Sequence, residues 1–458
     1  MPERLGNIFP TDDTIVAIAT PPGRSGIGLV RVSGNLSQSI AKKLLGRSAS
    51  LVHRQATVAF CRDESGTVLD EAVVTFFQTP QSYTGEDVLE ISAHGNPLVL
   101  SRIVKAIQEA GARQATAGEF TLRAVSHGKL DLIQAEAVRD FINAQTEVQA
   151  RMARLQMNGA LSKRIHPERD RLVDIIAHLE AGIDFADDDV GPPDNAEMMK
   201  RIVAVATALR KLQDSYSFGK LLSKGFRLAI VGKPNVGKSS LFNRLVGSDR
   251  AIVTSIPGTT RDVLSESISF DGIPIQFLDT AGMRDTADPI EEIGVARSWE
   301  ALAEADLVLF VVDGASGIDE LDRKIQTRIG SAKHILVVNK YDLPQAELAK
   351  TIGEAQGIRV SAKTGEGWEG LERAIREYAG DPGAEMQDTI LTSARHFESI
   401  RGAILSLDKG KSALVDGTPH EMVLLDMYEA LSQLNELTGE VVTEDILGRI
   451  FSTFCVGK

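Results

Sequence analysis

A glycine-rich octapeptide, GKPNVGKS at residues 232–239, carries the residue types that bind phosphate groups. It has the spacing GxxxxGK[ST] and lies between the predicted strand 227–231 and the helix-like segment SSLFNRLVG. In such a loop the glycines let backbone N–H groups surround the phosphates, the lysine reaches the terminal phosphates, and the serine hydroxyl can bind Mg²⁺. The spacing therefore predicts a nucleotide site around Lys238 and Ser239.

Three later motifs predict which nucleotide binds. DTAG at 279–282 places a carboxylate within reach of Mg²⁺ and Gly282 where a γ-phosphate can be sensed. NKYD at 339–342 supplies Asp342, which can accept hydrogen bonds from N1–H and the 2-amino group of guanine, a donor pair that adenine lacks. SAK at 361–363 follows a strand-like run and would support the base. The four motifs in this order are typical of a Ras-like GTPase, so the predicted nucleotide is GTP.

Hydrolysis needs a group that orients the attacking water, and Ras-like hydrolases often place a Gln for this directly after DTAG. This chain has Met283 there, which cannot orient a water. The polar stretch that follows contains four carboxylates, which a solvated acidic loop would also explain: Asp285, Asp288, Glu291 and Glu292. The residues alone do not choose among them.

Two further residues have cation-binding chemistry. Thr260, in the segment TSIPGTTRD at 254–262, is a natural sensor of Mg²⁺ and the γ-phosphate. Asn235 and the carbonyls near it offer oxygen ligands suited to a hard cation. For Asn235 alone, stabilisation of a turn is the better explanation.

Hydrophobic patterns predict the elements that position these motifs. Between 226 and 379, short β-branched runs alternate with helices, as in a parallel sheet with crossover helices; the strands are FRLAIVG, PIQFLDT, DLVLFVVD and HILVVNK. Upstream, β-rich runs at 14–20, 26–33, 71–79 and 87–92, with a helical pattern at 98–110, predict an α+β domain. The segments 118–184, 197–222 and the chain after 383 read as helical. Together they predict a helix bundle into which the α/β unit is inserted.

Charge and composition limit the classes of function. The 458 residues include 50 Lys and Arg against 63 Asp and Glu, a net charge of −13, which excludes a chain that is basic throughout. Residues 1–130 carry 13 basic and 12 acidic side chains, while 226–380 carry 18 and 23. Nucleic acid would therefore have to bind through a local patch or a partner's surface. We expect a cytoplasmic protein without a membrane anchor, because no apolar run is long enough to span a bilayer, no signal pattern begins the chain, and Cys61 and Cys455 are the only cysteines.

Over its whole length the chain resembles the tRNA-modification GTPases of the MnmE/TrmE type. The resemblance rests on TIVAIATPPGRSGIGLVRVSG, YTGEDVLEISAHG, GEFTLRA, GKLDLIQAEA, GTTRD, DTAGMR and the terminal LGRIFSTFCVGK. It implies a multidomain fold of α/β and α+β type: an α+β folate-binding N-terminal domain, a helical bundle domain, and an inserted Ras-like P-loop G domain. The implied bounds are 1–120 for the folate-binding and dimerisation domain, 121–224 and 381–458 for the two parts of the helical domain, and 225–380 for the G domain.

The resemblance also implies an activity. Such proteins are K⁺-stimulated GTPases that work as homodimers, in a heterotetramer with the FAD-dependent partner MnmG (GidA). With a tetrahydrofolate derivative, in its 5-formyl or 5,10-methylene form, they build a 5-carboxymethylaminomethyl or aminomethyl group on the wobble uridine of certain tRNAs. An RNA-binding switch in ribosome assembly is the leading alternative, but it needs a basic appendage that this chain lacks. A stand-alone folate aminomethyltransferase with a regulatory G domain is the second alternative.

Matching the family's motifs residue by residue implies the site residues. Glu291 would position the attacking water and Lys238 would act on the phosphates. K⁺ would bind Asn235, Thr254, Ile256 and Thr259, and Mg²⁺ would bind Ser239 and Thr260. The folate contacts would be Arg31, Glu90, Lys129 and Lys458. The GTP contacts would be Asn235, Val236, Gly237, Lys238, Ser239, Ser240, Thr254, Ser255, Ile256, Pro257, Gly258, Thr259, Thr260, Asp279, Thr280, Ala281, Gly282, Asn339, Lys340, Asp342, Ser361, Ala362 and Lys363.

Cys455 lies in the terminal motif and has two interpretations. It could be a nucleophile near the folate site or a small buried residue. We favour the buried residue, because the sequence places no His or Lys beside it to activate a thiolate.

Overall fold

The computed structural model describes residues 13–46, 50–184, 194–247, 267–270, 272–278, 304–344, 357–379, 390–441 and 443–457. The chain divides into two units. The first comprises Met1–Arg139, Gln156–Val173 and Tyr428–Lys458, and the second comprises Asp140–Leu155 and Asp174–Met427. The domain bounds that the sequence implies remain predictions.

A six-stranded sheet with the order β3-β4-β5-β2-β1-β6 forms the N-terminal part of the first unit. Neighbouring strands are antiparallel except for β1 and β6, which are parallel. The strands are β1 (Ile15–Ile18), β2 (Ser25–Ser33), β3 (Thr57–Arg62), β4 (Val68–Phe77), β5 (Val88–Gly95) and β6 (Arg113–Gln114). Helices α1 (Ser37–Leu45) and α2 (Pro97–Glu109) pack their apolar side chains against the sheet. This arrangement confirms the predicted α+β class.

Strand β3 was not expected from the sequence, because its residues are apolar on both faces. Ala59 and Cys61 point into the core, whereas Val58 and Phe60 on the opposite face are 59% and 49% exposed. In β4, Val73 pairs with Val58 and is exposed as well. The edge hairpin therefore lacks the alternation of polar and apolar residues that identifies a half-buried strand.

Helices follow the first sheet, as the sequence predicts for 118–184 and 197–222. They are α3 (Glu119–Ser126), α4 (Leu132–Asn143), α5 (Glu147–Met157), α6 (Ala160–Asp184), α7 (Asn195–Asp214) and α8 (Tyr216–Lys224). Helix α7 begins at an N-cap, Asp194, whose side chain accepts a hydrogen bond from the N–H of Ala196 at 3.0 Å. Helix α8 ends directly before the first strand of the second sheet.

Within the described residues, the second sheet also has six strands, in the order β12-β11-β10-β7-β9-β8. The strands are β7 (Phe226–Val231), β8 (Ser267–Phe270), β9 (Ile273–Leu278), β10 (Leu307–Asp313), β11 (His334–Asn339) and β12 (Ile358–Arg359). Helices α9 (Lys238–Gly247), α10 (Glu320–Ile329) and α11 (Trp368–Ala379) belong to the same unit. Among the strands that the structure describes here, all pairs are parallel except β8 with β9. The predicted parallel sheet is confirmed, and its antiparallel edge strand is an addition.

Three helices end the described chain: α12 (Ala394–Val415), α13 (His420–Thr438) and α14 (Glu444–Phe451). They confirm the helical prediction for this region. In the described part of the chain, no helix is both long enough and apolar enough to cross a membrane.

Candidate functional site

The phosphate-loop motif joins strand β7 to helix α9, as the sequence predicts. Positions 232 and 237 of the loop leave no space for a side chain. A Cβ on Gly232 would collide with the Val311 carbonyl oxygen, and one on Gly237 would collide with the Asn339 side chain. Gly237 has φ of +94°, and Asn235 has φ of 62°, a left-handed conformation that Asn tolerates better than most residues. These local demands fix the loop's backbone at the carboxyl end of β7.

The lysine of the motif bends back over its own loop. Lys238 Nζ donates hydrogen bonds to the carbonyl oxygens of Gly232 at 2.8 Å and Lys233 at 2.9 Å. The N-terminus of α9, where Ser239 and Ser240 lie in the first turn, adds the positive end of the helix dipole. A cation, a helix N-terminus and a glycine-rich loop meet here, which is the arrangement that binds phosphates.

Asn339, the first residue of NKYD, links three of the predicted motifs. It is 2% exposed; its Nδ2 donates to the Val236 carbonyl at 2.8 Å, and its Oδ1 accepts from the Ala362 N–H at 3.0 Å. The parallel strands β7, β10 and β11 end side by side, so their following loops share one edge of the sheet. One buried amide thereby fixes the phosphate loop, the NKYD loop and the SAK loop relative to each other.

The remaining residues of NKYD and SAK form a second set of contacts. Lys340, with φ of 63°, donates from Nζ to Asp313 Oδ2 at 2.7 Å at the end of β10. Burial opposes ionisation of Asp313, yet the hydrogen bonds from Lys340 and backbone amides lower its pKa. Asp342 is exposed, and its Oδ1 accepts from the Ser361 hydroxyl at 2.7 Å. That bond orients the carboxylate that is predicted to read guanine.

Several predicted site residues lie outside the described residues. They are Thr254, Ser255, Ile256, Pro257, Gly258, Thr259, Thr260, Asp279, Thr280, Ala281, Gly282, Glu291 and Lys458. Met283 and the carboxylates Asp285, Asp288 and Glu292 lie outside them too. Their roles remain predictions from the sequence.

In the first unit, two predicted folate residues form a cross-strand ion pair. Arg31 in β2 is the register partner of Glu90 in β5, and its Nη2 and Nε lie 2.7 and 2.9 Å from Glu90 Oε1. The guanidinium lies 5.6 Å from the ring centre of Tyr83 and 5.9 Å from that of Phe120. Arginine, carboxylate and two aromatic rings are chemically suited to a flat, polar heterocycle.

The C-terminal motif reaches this ion pair. Arg31 Nη1 donates to the Gly457 carbonyl oxygen at 3.4 Å, and Val456 forms an antiparallel bridge with Ala117. Gly457 has φ of +97°, and a Cβ there would lie 2.6 Å from the Ile18 carbonyl oxygen. This glycine is therefore needed for the backbone to approach β1.

The preferred interpretation of Cys455 as a small buried residue is wrong, because its side chain is exposed. Phe454 takes the buried position beside it and packs with Phe451 of α14, their ring centres 5.2 Å apart. The Cys455 carbonyl accepts from the Gly118 N–H at 3.4 Å, so the backbone is held while the thiol faces outward.

Lys129, also a predicted folate residue, contacts a neighbouring segment. Its Nζ donates to the Pro80 carbonyl at 3.0 Å. Pro80 belongs to the same connection between β4 and β5 that carries Tyr83, so Lys129 contacts the segment that supplies an aromatic ring beside Arg31. The structure thus places Lys129 against the connection between β4 and β5, and its contact with folate remains a prediction.

Sequence reasoning missed the residues that hold the connection between β4 and β5 in place. Arg123 is 4% exposed and binds Glu86 at 3.0 Å, Glu119 at 3.1 Å and Asp13 at 2.5 Å. Glu86 Oε2 also accepts from the Ser33 hydroxyl of β2 at 2.7 Å. Burial opposes ionisation of Glu119, but hydrogen bonds from Arg113 and the Thr116 N–H lower its pKa to about 2. The polar residues inside YTGEDVLE and GEFTLRA were the signal for this network.

Comparisons with known proteins show the family to which the chain is similar. The family model described as GTP-binding protein TrmE N-terminus matches residues 14–129, and the MnmE helical domain model matches residues 132–455. A tRNA modification GTPase MnmE from Koribacter versatilis (strain Ellin345) is 48% identical over 455 residues, covering 98% of this chain and 99% of that protein. The protein of the same name from Aquifex aeolicus (strain VF5) is 43% identical over 449 residues, covering 97% and 100%.

Among solved structures, a single-residue variant of Aquifex aeolicus Era bound to GDP.AlF4- matches at 29% identity, covering 40% of this chain and 66% of that chain, with a TM-score of 0.27.

The phosphate loop between β7 and α9, with the NKYD loop held against it, defines a P-loop protein with a Ras-like G domain. The full-length similarity is more specific. The chain belongs to the family of tRNA modification GTPases MnmE, and it is a GTP hydrolase of that family. This membership favours tRNA modification over ribosome assembly.

Proposed function

We propose that the chain is a K⁺-stimulated GTPase that, with an FAD-dependent partner, uses a tetrahydrofolate one-carbon unit to modify the wobble uridine of certain tRNAs. The product is a 5-carboxymethylaminomethyl or aminomethyl group. The observation that carries the GTP part is the buried Asn339 amide, which joins the phosphate loop to the two base-binding loops. The observation that carries the folate part is the Arg31–Glu90 pair against the C-terminal tail.

Guanine selection follows from the orientation of Asp342. One carboxylate oxygen is engaged by Ser361 at 2.7 Å, which limits rotation of the side chain. The carboxylate is exposed, so its acceptors can pair with the N1–H and 2-amino donors of guanine. Lys363 is exposed at the neighbouring loop. An adenine base would present no matching donor pair to this carboxylate.

The donor set fits the two proposed cations. Hydroxyl, amide and carbonyl oxygens are the ligands that hard cations prefer. Ser239 lies in the first turn of α9 beside Lys238, where a hydroxyl can bind the Mg²⁺ of a bound nucleotide, and Thr260 completes that pair by family resemblance. Asn235 stands at the turn of the phosphate loop in a left-handed conformation. With Thr254, Ile256 and Thr259 it would hold K⁺, which supplies positive charge to the developing transition state.

Glu291 is our candidate for orienting the attacking water, since Met283 cannot do so. This assignment rests on its match to the family motif, twelve residues after Asp279. A carboxylate in this role accepts a hydrogen bond from the water and fixes its direction of attack.

In the N-terminal domain, opposed charges and aromatic rings support folate binding. Glu90 can accept hydrogen bonds from the amino group and ring N–H of a pterin, and Arg31, Lys129 and Lys458 can bind the glutamate tail. Tyr83 and Phe120 both lie against the Arg31 guanidinium. The 5-formyl and 5,10-methylene forms of tetrahydrofolate both have these groups.

The partner assignments rest on surface character. Val58, Phe60 and Val73 expose an apolar patch on the edge hairpin, which supports the proposed homodimer through the N-terminal domain. The acidic net charge of −13 supports binding of tRNA mainly through the basic surface of a partner, which we take to be MnmG (GidA), in a heterotetramer. We expect these assemblies in the cytoplasm.

The hydrolysis part is tested by measuring GTP turnover of the full chain in K⁺ and in Na⁺ buffers of equal ionic strength. We expect faster turnover in K⁺, and loss of turnover in Glu291→Ala. Equal rates in the two buffers, or full activity of Glu291→Ala, would contradict the proposed mechanism.

The folate part is tested by equilibrium binding of 5-formyltetrahydrofolate. Arg31→Met and Glu90→Gln should each weaken binding by about tenfold or more, since each removes a charge-assisted hydrogen bond. Arg102→Met is the matched control, because it removes an exposed Arg–carboxylate pair with Asp63, 3.3 Å apart, in the same domain. Absence of binding to the unaltered chain would overturn the folate assignment.

A further inference from the structure

Lys233, the second residue of the phosphate loop, has its side chain anchored on another element. Its Nζ lies 2.8 Å from Asp319 Oδ2 and 3.0 Å from Asp322 Oδ2, and the lysine side chain is only 14% exposed. Both carboxylates belong to the start of helix α10. The phosphate loop is therefore tied to α10 by one ammonium group between two carboxylates.

The two carboxylates are themselves fixed by a capping box. Asp319 Oδ1 accepts from the N–H groups of Leu321 at 3.0 Å and Asp322 at 3.1 Å. Asp322 Oδ2 in turn accepts from the Asp319 N–H at 3.1 Å. Each acid thus holds the other's backbone, and the positive end of the α10 dipole favours both charges.

Asp322 depends on Lys233 for charge compensation. Its side chain is fully buried, and its Oδ1 has no hydrogen-bond partner in the described part of the chain. A buried carboxylate with one unsatisfied oxygen is tolerated only beside a strong counter-charge. Burial lowers the pKa of Lys233, but hydrogen bonding to Asp319 and Asp322 outweighs it and raises that pKa, so the lysine stays charged.

The backbone of Lys233 performs a second task. Its carbonyl oxygen accepts a hydrogen bond from Lys238 Nζ at 2.9 Å, next to the Gly232 carbonyl at 2.8 Å. Pro234 follows, which restricts the backbone of Lys233 further. The residue whose side chain is anchored on α10 thereby presents one of the two carbonyls that orient the phosphate-binding ammonium.

The connection from β10 to α10 also holds the base-binding loop. Asp313, at the end of β10, accepts from Lys340 of NKYD at 2.7 Å. Asp319 and Asp322, a few residues later, hold Lys233. One segment, 313–322, thus anchors a lysine from each of the two loops that would enclose the nucleotide.

We propose that Lys233 is a positioning residue for nucleotide retention: its anchorage on Asp319 and Asp322 fixes the carbonyls that orient Lys238. The inference rests on the proposed GTP site. It predicts that loss of the anchor speeds nucleotide release, because the two carbonyls no longer hold the Lys238 ammonium group in place at the phosphate loop.

The test compares release of a fluorescent GDP analogue from full-length variants. Lys233→Met removes the anchor, and Lys233→Met with Asp322→Asn removes it without leaving a buried unpaired carboxylate, so that folding is retained. Lys233→Arg keeps a cation at this position that can bind both carboxylates. Lys324→Met is the matched control, because it breaks an exposed Lys–Glu pair with Glu320, 3.4 Å apart, on the same helix.

We expect release to be about tenfold faster in both Lys233→Met variants, which at an unchanged association rate corresponds to a loss of about 1.4 kcal/mol in binding. Lys233→Arg and Lys324→Met should release the analogue as the unaltered chain does. The KM for GTP should rise by a larger factor than kcat falls, which a general loss of folded protein would not produce.

If the folded double variant, Lys233→Met with Asp322→Asn, releases the analogue as slowly as Lys324→Met does, the inference is wrong and the proposed GTP site is unaffected. Release from Lys233→Arg that is as fast as from Lys233→Met would also overturn the inference. An unaltered chain that binds no guanine nucleotide would overturn the proposed site and the inference together.

Discussion

Asn339 Nδ2 donates a hydrogen bond to the carbonyl oxygen of Val236 at 2.8 Å, across 103 positions of sequence. The same buried side chain accepts from the Ala362 N–H at 3.0 Å. A single amide therefore sets the distance between the groups that would bind phosphate and those that would bind the base.

Asn339→Ala should lower both stability and nucleotide affinity, because it leaves the Val236 carbonyl and the Ala362 N–H unsatisfied in a buried place. We expect the free energy of unfolding of the G domain to fall by about 1–3 kcal/mol. GTP affinity should fall in parallel, measured by equilibrium titration. Asn243→Ala, at an exposed position of α9, is the control and should change neither quantity. An Asn339→Ala variant with normal GTP affinity would contradict the linking role.

Asp342→Asn should change which base the site accepts. The substitution replaces one carboxylate oxygen by an amide N–H donor, which opposes the 2-amino group of guanine and matches the carbonyl at position 2 of xanthine. We expect GTP hydrolysis to fall and hydrolysis of xanthosine triphosphate to rise. Competition assays with both nucleotides measure the switch. If GTP use is lost without any gain for the xanthine nucleotide, base reading by Asp342 is not supported.

The two thiols should differ sharply in reactivity. Burial, with a smaller contribution from the nearby Asp70 charge, raises the pKa of Cys61 to about 12, whereas Cys455 is exposed. At pH 8 a thiol reagent should therefore modify one cysteine in the folded chain and both after denaturation. Peptide mass mapping should locate the native label on Cys455. Rapid native labelling of Cys61 would show that the core of the first sheet is not closed as described.

Acid should loosen the segment around α3. The folded-state pKa of Glu119 is about 2, below its ordinary value of 4.5, so its ionised form stabilises the fold above pH 4.5 and that contribution is lost as pH falls toward 2. The protection of the α3 amides, measured as the intrinsic exchange rate at each pH divided by the observed rate, should fall over this range. In Glu119→Gln, this protection should already be lower at neutral pH and should depend less on acid. If protection of the α3 amides depends on acid equally in the unaltered chain and in Glu119→Gln, carboxylates other than Glu119 cause the effect.

Much of the fold could be predicted because its signals are local. The strands β7, β10 and β11 are apolar runs followed by motif residues, and the helices after Gly118 have regular apolar spacing. Strand β8 was missed because it contains only two apolar residues, Ile268 and Phe270, both buried. Short edge strands give too little periodicity to be recognised.

The site was predicted less completely, for a related reason. Motifs identify residues such as Asn339 and Arg31, but not the partners that the fold brings to them from far along the chain. Asp322 belongs to none of the motifs, and only its burial beside Lys233 shows its role. Cys455 was misjudged because the alternation of buried and exposed residues in the terminal segment depends on where Phe454 packs.

The central claim, a GTPase acting in folate-dependent modification of wobble uridine, is tested most directly by mass analysis of tRNA. Wobble uridines would be compared in a strain lacking this gene, and in that strain carrying the gene or its Asp342→Asn or Arg31→Met variant. We predict loss of the 5-carboxymethylaminomethyl or aminomethyl group without the gene, restoration by the unaltered gene, and poor restoration by either variant. Wobble uridines that keep the modification when the gene is absent would contradict the account.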